Sequence, residues 1–301
     1  MASVFRRLII GLTALLISGP GFSAAEPEGP ISLWKVSSET SSLYLLGSVH
    51  VLRPDMYPLP EAMTRAYEAA DELVLEVDLS KVGQYEIASI MRAHGYYEST
   101  RGVEEDLSPE TLTRLKTYLQ ETGLSYNSVR RFRPWFLSLN LGLLALASEG
   151  YDPDSGVDRY FMKRALDDGK PIAELENYRE QIRMLADEPL AVQDLALRSY
   201  LDSAPDINTQ ISELLRHWRT GAVDEMYTRA IAEVSEYPPL LGQMERLIDE
   251  RNRKMAAKIE TMLQDNDTEL VVVGVLHMGG EQGLVRLLGD HYQIKQLTSS
   301  P

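Results

Sequence analysis

The 301-residue chain contains no cysteine. This absence excludes disulfide bonds, thiolate zinc sites, cysteine nucleophiles and a lipid anchor attached to cysteine. Basic residues are also scarce, because 30 Lys and Arg stand against 45 Asp and Glu, giving a formal net charge of −15 at pH 7. An acidic surface of this size repels nucleic acid and anionic lipid, so we expect no nucleic-acid partner.

Long apolar runs are missing after the N-terminus, and no transmembrane helix is predicted. Residues 1–25 have the pattern of a secretory signal peptide, with basic Arg6 and Arg7 followed by the short apolar stretch Leu8 to Ser18. Its cleavage would remove both arginines and change the formal charge from −15 to −17. We therefore expect a periplasmic or secreted protein without stable membrane insertion, whose mature domain spans residues 26–301.

Two short segments at opposite ends of the chain resemble each other. Ser42–Leu52 reads SLYLLGSVHVL, and Glu269–Gly280 reads ELVVVGVLHMGG. Each is an apolar run typical of a buried strand, and each leads into Gly-x-x-His, with His50 or His277 where the strand gives way to a loop. A glycine in a strand lets another group approach the backbone closely. A single such histidine is most simply a core side chain, but two in matching contexts favour a shared site.

The pattern around these segments predicts an α/β fold with one central sheet. The sheet is formed by two strand–helix–strand units, with a large helical insertion between them at about residues 80–263. The predicted units are Leu43–Val51, Glu61–Ala70 and Glu72–Leu79, and then Leu270–Leu276, Glu281–Gly289 and Tyr292–Leu297. Inside the insertion, the apolar run Pro134–Leu146 predicts a buried helix and Ile172–Leu175 a short strand. Right-handed crossovers would place both units in one sheet and both histidines at the same edge, where open α/β sheets bind ligands.

Glu76 lies in the middle of the apolar run ELVLEVDL, Glu72–Leu79. A buried carboxylate is costly unless it is paired, protonated or bound to a metal, so this residue is a candidate for a site. The alternative is that it faces solvent or pairs with an arginine. Asp78, two residues further along the same predicted strand face, is a second candidate.

In these features the chain resembles the TraB/PrgY/GumN family, whose animal relatives, the Tiki proteins, are described as metal-dependent proteases. The resemblance extends from about Ile31 to Leu297. The segments that carry it are Gly47-Ser48-Val49-His50, Glu76, Arg133-Pro134-Trp135, Gly156-Val157-Asp158-Arg159-Tyr160, the run Glu174 to Gln181, Arg251-Asn252-Arg253 and Gly274-Val275-Leu276-His277.

The resemblance implies an α/β core with inserted helices and a metal site formed by His50, His277 and Glu76. Two imidazoles and a carboxylate suit a divalent zinc, manganese or cobalt ion and leave positions for water and substrate. The expected function is a metal-dependent, peptidase-like hydrolase, in which activated water attacks an amide bond of a peptide or protein substrate. Glu76 is either the third ligand or the general base. The alternative is a non-catalytic metal- or ligand-binding protein on the same scaffold, linked to surface polysaccharide or export.

Arg251 and Arg253 are further catalytic candidates, because a guanidinium can stabilise an oxyanion or hold a substrate carboxylate. The local sequence favours a charged helix surface for both, and the family resemblance is what keeps them as candidates. Glu176 and Glu180 are spaced four apart near a predicted helix start, where acidic residues suit the helix dipole. These two glutamates are therefore placed outside the predicted site, as second-tier candidates.

Overall fold

A computed structural model describes residues 29–98 and 100–299. The predicted signal peptide, residues 1–25, lies outside the described residues. A six-stranded sheet forms the centre of the molecule, with strands from both ends of the chain and helices between them, which confirms the predicted α/β fold. The strands are β1 Pro30–Ser37, β2 Ser42–Ser48, β3 Glu72–Leu75, β4 Ile172–Glu174, β5 Glu269–Gly274 and β6 Gln293–Thr298.

Most of the helices lie between β3 and β5, in the segment predicted to be helical. Across the described chain they are α1 Glu61–Ala69, α2 Gln84–Gly95, α3 Pro109–Glu121, α4 Tyr126–Val129, α5 Pro134–Ser148, α6 Val157–Asp168, α7 Tyr178–Ala186, α8 Leu190–Ser203, α9 Ile207–Thr220, α10 Val223–Val234, α11 Pro238–Met244, α12 Glu250–Met262 and α13 Leu284–Gly289. None of these helices is long and apolar enough to cross a lipid bilayer in the part of the chain that the structure describes.

The order of the strands brings the two ends of the chain together. Across the sheet the order is β4-β3-β5-β2-β1-β6. β4, β3, β5 and β2 run parallel to one another, whereas β1 is antiparallel to both β2 and β6. Ser48 at the end of β2 is paired with Gly274 at the end of β5. The two Gly-x-x-His segments therefore leave the same edge of one sheet side by side, as predicted.

The central strands are apolar because both faces of the sheet are covered. All six residues of β5 are buried, and its four central residues, Leu270 to Val273, are at most 1% exposed. Sheets buried on both faces have such continuous apolar strands. One of the helices that packs here is α12, whose Met255 and Ile259 are fully buried in the same hydrophobic core. This rigid centre fixes the positions of the loops that follow the strands.

β3 is shorter than predicted, and Glu76 lies just past its end. The last paired residue of β3 is Leu75, opposite Glu174 of the three-residue strand β4. The chain then turns, because the buried Asp78 carboxylate accepts hydrogen bonds from the backbone and hydroxyl of Ser80. The predicted strand to Leu79 is therefore wrong, as is the placing of Asp78 on a shared strand face.

α5 is buried only in part. The buried residues of this helix all lie between Pro134 and Leu141, whereas Leu139, Leu143 and Leu144 are exposed. The helix is apolar on all sides but packs mainly against α8, which covers one side of it. The predicted helix is confirmed, and the prediction that all of it is buried is wrong.

The first residue of β5 is a buried carboxylate with an unusual pKa. Glu269 is 3% exposed, and its Oε2 atom has no hydrogen-bond partner among the described residues. Burial and the nearby charges of Asp265 and Glu72 raise the pKa of Glu269 to about 7. Since the unfolded-state value is about 4.5, the charge on Glu269 reduces stability progressively as pH rises from about 4.5 to 7.

We expect Glu269→Gln to raise the free energy of unfolding by about 1–3 kcal/mol at pH 8 and to leave it unchanged below pH 4.5, because glutamine resembles the protonated acid. Urea denaturation at several pH values measures this difference. The control is Glu281→Gln, which removes the same charge from a side chain that is 85% exposed. An equal gain in both variants would show that net charge, and not burial of Glu269, causes the effect.

Candidate functional site

Three neighbouring strand ends form one edge of the sheet. β3, β5 and β2 are adjacent and parallel, so their carboxyl ends meet. Glu76 follows β3 directly and His50 stands two residues beyond β2, while His277 ends a short helical turn after β5. Carboxyl ends of parallel strands are the usual ligand site of such sheets.

Gly274 is the point on which these three side chains converge. A methyl group added to its α-carbon would lie 3.1 Å from Glu76 Oε1, 3.1 Å from His50 Nε2 and 3.6 Å from His277 Cδ2. Glu76 Oε1 is also 3.9 Å from His277 Nε2. The glycine therefore leaves open a space that any other residue would fill, and we call this space the Gly274 cradle.

The glycine of the first motif has a different packing role. A methyl group on Gly47 would come within 3.0 Å of Val275 Cγ2, in the turn that follows β5. The Trp218 indole N–H donates to the Gly47 carbonyl oxygen at 2.8 Å. The second motif thus packs directly against the backbone of the first, as expected for glycines that allow a close approach.

Both imidazoles are held through Nδ1 and point Nε2 toward the site. His277 Nδ1 lies 2.6 Å from Asn252 Oδ1, in the buried interior. His50 Nδ1 lies 3.3 Å from Asp158 Oδ2, at a position where the His50 side chain is 61% exposed. Asp158 is placed by the start of α6, which packs against the His50 backbone at Gly156. The cradle is therefore closed on the His277 side and open on the His50 side.

The two oxygens of Glu76 have different surroundings. Oε1 accepts a hydrogen bond from the Gly274 backbone amide and faces the imidazoles. Oε2 accepts hydrogen bonds from Arg251 Nη2 at 2.7 Å and from Gln181 Nε2 at 3.1 Å. Glu76 is thus held through one oxygen and presents the other to the cradle.

Arg251 is fully engaged by protein groups. Its guanidinium donates to both oxygens of Glu176 at 2.6–3.0 Å, to Glu76, and to the Leu247 carbonyl at 2.9 Å. Arg251 therefore holds two carboxylates in place, and Glu176, which the sequence pattern placed outside the site, belongs to its network. Glu180 is exposed on the surface.

Arg253 lies on the other side of α12. The buried residues of that helix are Arg251, Asn252, Met255, Ala256 and Ile259, which share one face at helical spacing. Arg253 falls outside this face, is exposed, and donates to Gln282 Oε1 at 3.0 Å. Within the described chain it makes no hydrogen bond to Glu76, His50 or His277. The structure brings Arg251 to the predicted site but leaves Arg253 at the surface.

Charge and burial set the protonation of the three convergent side chains. Burial opposes ionisation of Glu76, but His277, His50, Arg251 and the Gly274 amide outweigh it and lower the pKa of Glu76 to about 2. Burial lowers the pKa of His277 to about 4 despite the attraction of Glu76. Partial loss of water around His50 opposes its protonation, but its hydrogen bond to Asp158 and the charge there raise its pKa above the usual value.

The donor atoms are of the types that bind divalent metals. In residues 29–98 and 100–299, no group of three or more His, Asp or Glu side chains already stands in a metal-ligating arrangement. His50 Nε2, His277 Nε2 and Glu76 Oε1 nevertheless face one cradle, and the Nδ1 atom of each imidazole has its own partner. Such outer partners orient metal-binding histidines.

Comparison with known proteins identifies relatives of the chain by sequence. The family model described as the TraB/PrgY/gumN family matches residues 32–296. The uncharacterized protein YbaP of Escherichia coli (strain K12) is 26% identical over 248 residues, covering 81% of this chain and 87% of YbaP, and YbaP of Shigella flexneri matches to the same extent. No solved structure matches the chain.

The two neighbouring arginines should differ sharply in their effect on stability. We expect Arg251→Met to lower the free energy of unfolding by about 3–5 kcal/mol, because it leaves the buried Glu76 and Glu176 charges unpaired. Arg253→Met should change it by less than about 0.5 kcal/mol, because the side chain is exposed. Equilibrium chemical denaturation of both variants tests this, and similar losses in the two would contradict the assigned network.

Proposed function

The chain belongs to the TraB/PrgY/gumN family, and we propose that it is a metal-dependent, peptidase-like hydrolase whose ion is held by His50, His277 and Glu76. The observation that carries the proposal is the Gly274 cradle, where Glu76 Oε1 and His50 Nε2 each lie 3.1 Å from the place of a missing methyl group. Apolar packing alone does not require two imidazoles and a carboxylate to face one empty point.

The charge of the surroundings supports a cationic ligand. Three carboxylates, Glu76, Glu176 and Asp158, surround the cradle, and the opposing cationic groups are Arg251 and His50, whose pKa Asp158 raises. The excess of negative charge would be offset by a divalent cation. Nitrogen and oxygen donors of this kind suit zinc, manganese or cobalt.

Glu76 acts as a ligand rather than as the general base in this proposal. A general base works best when its pKa lies near the working pH. The neighbouring cationic groups and the Gly274 amide lower the pKa of Glu76, which favours the ionised carboxylate that a ligand requires. Arg251 and Gln181 also fix its Oε2 atom, which leaves Oε1 to contact the ion. Geometry and charge therefore both favour the ligand role.

When bound, the metal ion would supply the Lewis acid that activates water for attack on the amide bond. The protein residues position that chemistry: Arg251 orients Glu76, while Asn252 and Asp158 orient the imidazoles. The open side of the cradle at His50 is where a peptide or protein substrate would enter. Arg253, which is at the surface, has no part in holding the cradle.

The proposal also covers the relation to the Tiki proteins and the cellular location of the protein. The paired Gly-x-x-His motifs and Glu76 support a Tiki-like metalloprotease, and the signal-peptide pattern in residues 1–25 supports a periplasmic or secreted protein. A non-catalytic protein that binds a metal or another ligand in the same cradle, with a role in surface polysaccharide or export, is the alternative. It would bind the ion without cleaving peptides.

Removal of either cradle histidine should strongly weaken metal binding. We expect the wild-type protein to bind about one equivalent of zinc, manganese or cobalt, and His50→Ala and His277→Ala to bind each at least tenfold more weakly, because each variant loses one of three donors. Equilibrium dialysis with elemental analysis measures the bound metal. The control is His291→Ala, at an exposed position after α13.

Cleavage of a peptide library, assayed with and without chelator, then separates the two functions. Cleavage that a chelator and both histidine variants abolish supports the hydrolase, whereas metal binding without cleavage supports the binding protein. Full metal loading of the double variant His50→Ala/His277→Ala would contradict both.

Filling the cradle should have the same effect without removing any donor. We expect Gly274→Ala to weaken metal binding at least tenfold, because the new methyl group would stand 3.1 Å from both Glu76 Oε1 and His50 Nε2. Gly83→Ala is a matched control, since Gly83 has φ −63° and ψ 143° against φ −53° and ψ 135° at Gly274, and a methyl group added to Gly83 would meet no atom within 4 Å. Isothermal titration with the metal compares the two, and unchanged affinity in Gly274→Ala would rule out a shared ion in the cradle.

A further inference from the structure

We propose that Asn252 is a positioning residue that fixes the tautomer of His277, with the ring proton on Nδ1 and the lone pair of Nε2 turned toward the Gly274 cradle. The tautomer follows from hydrogen bonding alone. Its importance for metal binding rests on the function proposed above, because only a ring nitrogen without a proton can hold a metal ion.

The Asn252 amide can be oriented in only one way. Asn252 is completely buried on the inner face of α12, and its Nδ2 atom lies 2.7 Å from the Gln282 carbonyl oxygen. A carbonyl oxygen only accepts hydrogen bonds, so the NH₂ end of the amide must face Gln282. The Oδ1 atom is therefore the one that faces His277.

This orientation decides where the His277 proton lies. Asn252 Oδ1 and His277 Nδ1 are 2.6 Å apart, and an amide oxygen only accepts. The imidazole must then donate from Nδ1. Since a neutral imidazole carries a single N–H, its Nε2 atom keeps a lone pair, and this atom lies 3.9 Å from Glu76 Oε1.

A chain of fixed groups holds this arrangement. Gln282 belongs to the segment between His277 and α13, and its carbonyl orients Asn252, which in turn orients His277. His50 is held differently, by the Asp158 carboxylate at 3.3 Å and with an exposed side chain. A carboxylate accepts from a neutral or a charged ring alike, whereas the oriented amide at His277 selects one neutral tautomer.

The tautomer can be measured directly in the metal-free protein. With ¹⁵N-labelled histidine, two-bond ¹⁵N–¹H correlation spectra distinguish the Nδ1–H from the Nε2–H form, and His277→Gln identifies the His277 signals. We expect the Nδ1–H form in the wild-type protein and its loss in Asn252→Ala. Asn252→Asp, which keeps an acceptor beside Nδ1, should keep a proton on Nδ1. An Nε2–H signal for His277 in the wild-type protein would overturn the proposal even if Asn252→Ala failed to fold.

A matched variant separates this effect from the loss of any partly buried amide. Asn140→Ala removes an amide whose Nδ2 atom donates to the Phe136 carbonyl within α5, at 2.7 Å. We expect this variant to keep the Nδ1–H form of His277. A change of tautomer in Asn140→Ala equal to that in Asn252→Ala would show a general structural effect and contradict a specific role for Asn252.

Zinc affinity provides the functional readout. We expect Asn252→Ala to bind zinc about 10–100-fold more weakly than wild type, the usual effect of removing a partner that orients a metal-binding histidine, and Asn140→Ala to bind it equally well. The two proposals can fail separately. Wild-type protein with the Nδ1–H tautomer but no zinc binding would keep the role of Asn252 and remove the metal site. Zinc binding by a wild-type protein with Nε2–H would remove the role of Asn252.

Discussion

The parallel pairing of β2 with β5 is the constraint on which the site depends. It sets Ser48 opposite Gly274 and so joins segments from opposite ends of the chain at one sheet edge. A slip of one residue would turn every side chain of a strand to the other face. The cradle would then lose the alignment of Gly274 with His50 and Glu76. Gly47 opposes such a slip, because a methyl group at its position would come within 3.0 Å of Val275 Cγ2 and a shifted strand would put a side chain there.

The network of buried charged side chains is better explained by the orientation it gives to Glu76 than by a contribution to the stability of the fold. Replacing a buried ion pair with well-packed apolar side chains is often neutral or stabilising, so Glu76, Arg251 and Glu176 need another reason to be present. Arg251 engages one oxygen of Glu76 and both oxygens of Glu176, and it thereby leaves the other oxygen of Glu76 directed at the imidazoles. An apolar cluster of the same volume would fill the space but would not direct a carboxylate.

The sequence predicted those parts of the site that depend on local pattern. Gly-x-x-His at the end of an apolar run identified His50 and His277, and a carboxylate in such a run identified Glu76. The end of β3 was misplaced because an Asp78 turn, which has no apolar signature, stops the strand. The outer partners depend on how the inserted helices pack on the sheet, which no local pattern encodes; these are Asp158, Glu176, Gln181 and Asn252. Two signals were available: all four residues lie in segments that carry the family resemblance, and Arg251 and Asn252 share the inward face of α12 with Met255, Ala256 and Ile259.

His50 and His277 occupy equivalent positions in their motifs but have different surroundings. One side of the site is therefore buried and the other is exposed. His277 is 4% exposed, and its partner Asn252 is a neutral amide inside the core. His50 is exposed, and its partner Asp158 is a carboxylate at the start of α6. The exposed side of the cradle is therefore the His50 side, while His277 and Glu76 form its inner wall. In a hydrolase this order would place the ion against buried donors and leave the exposed His50 side open to substrate, as expected of a preorganised site held by its supporting residues.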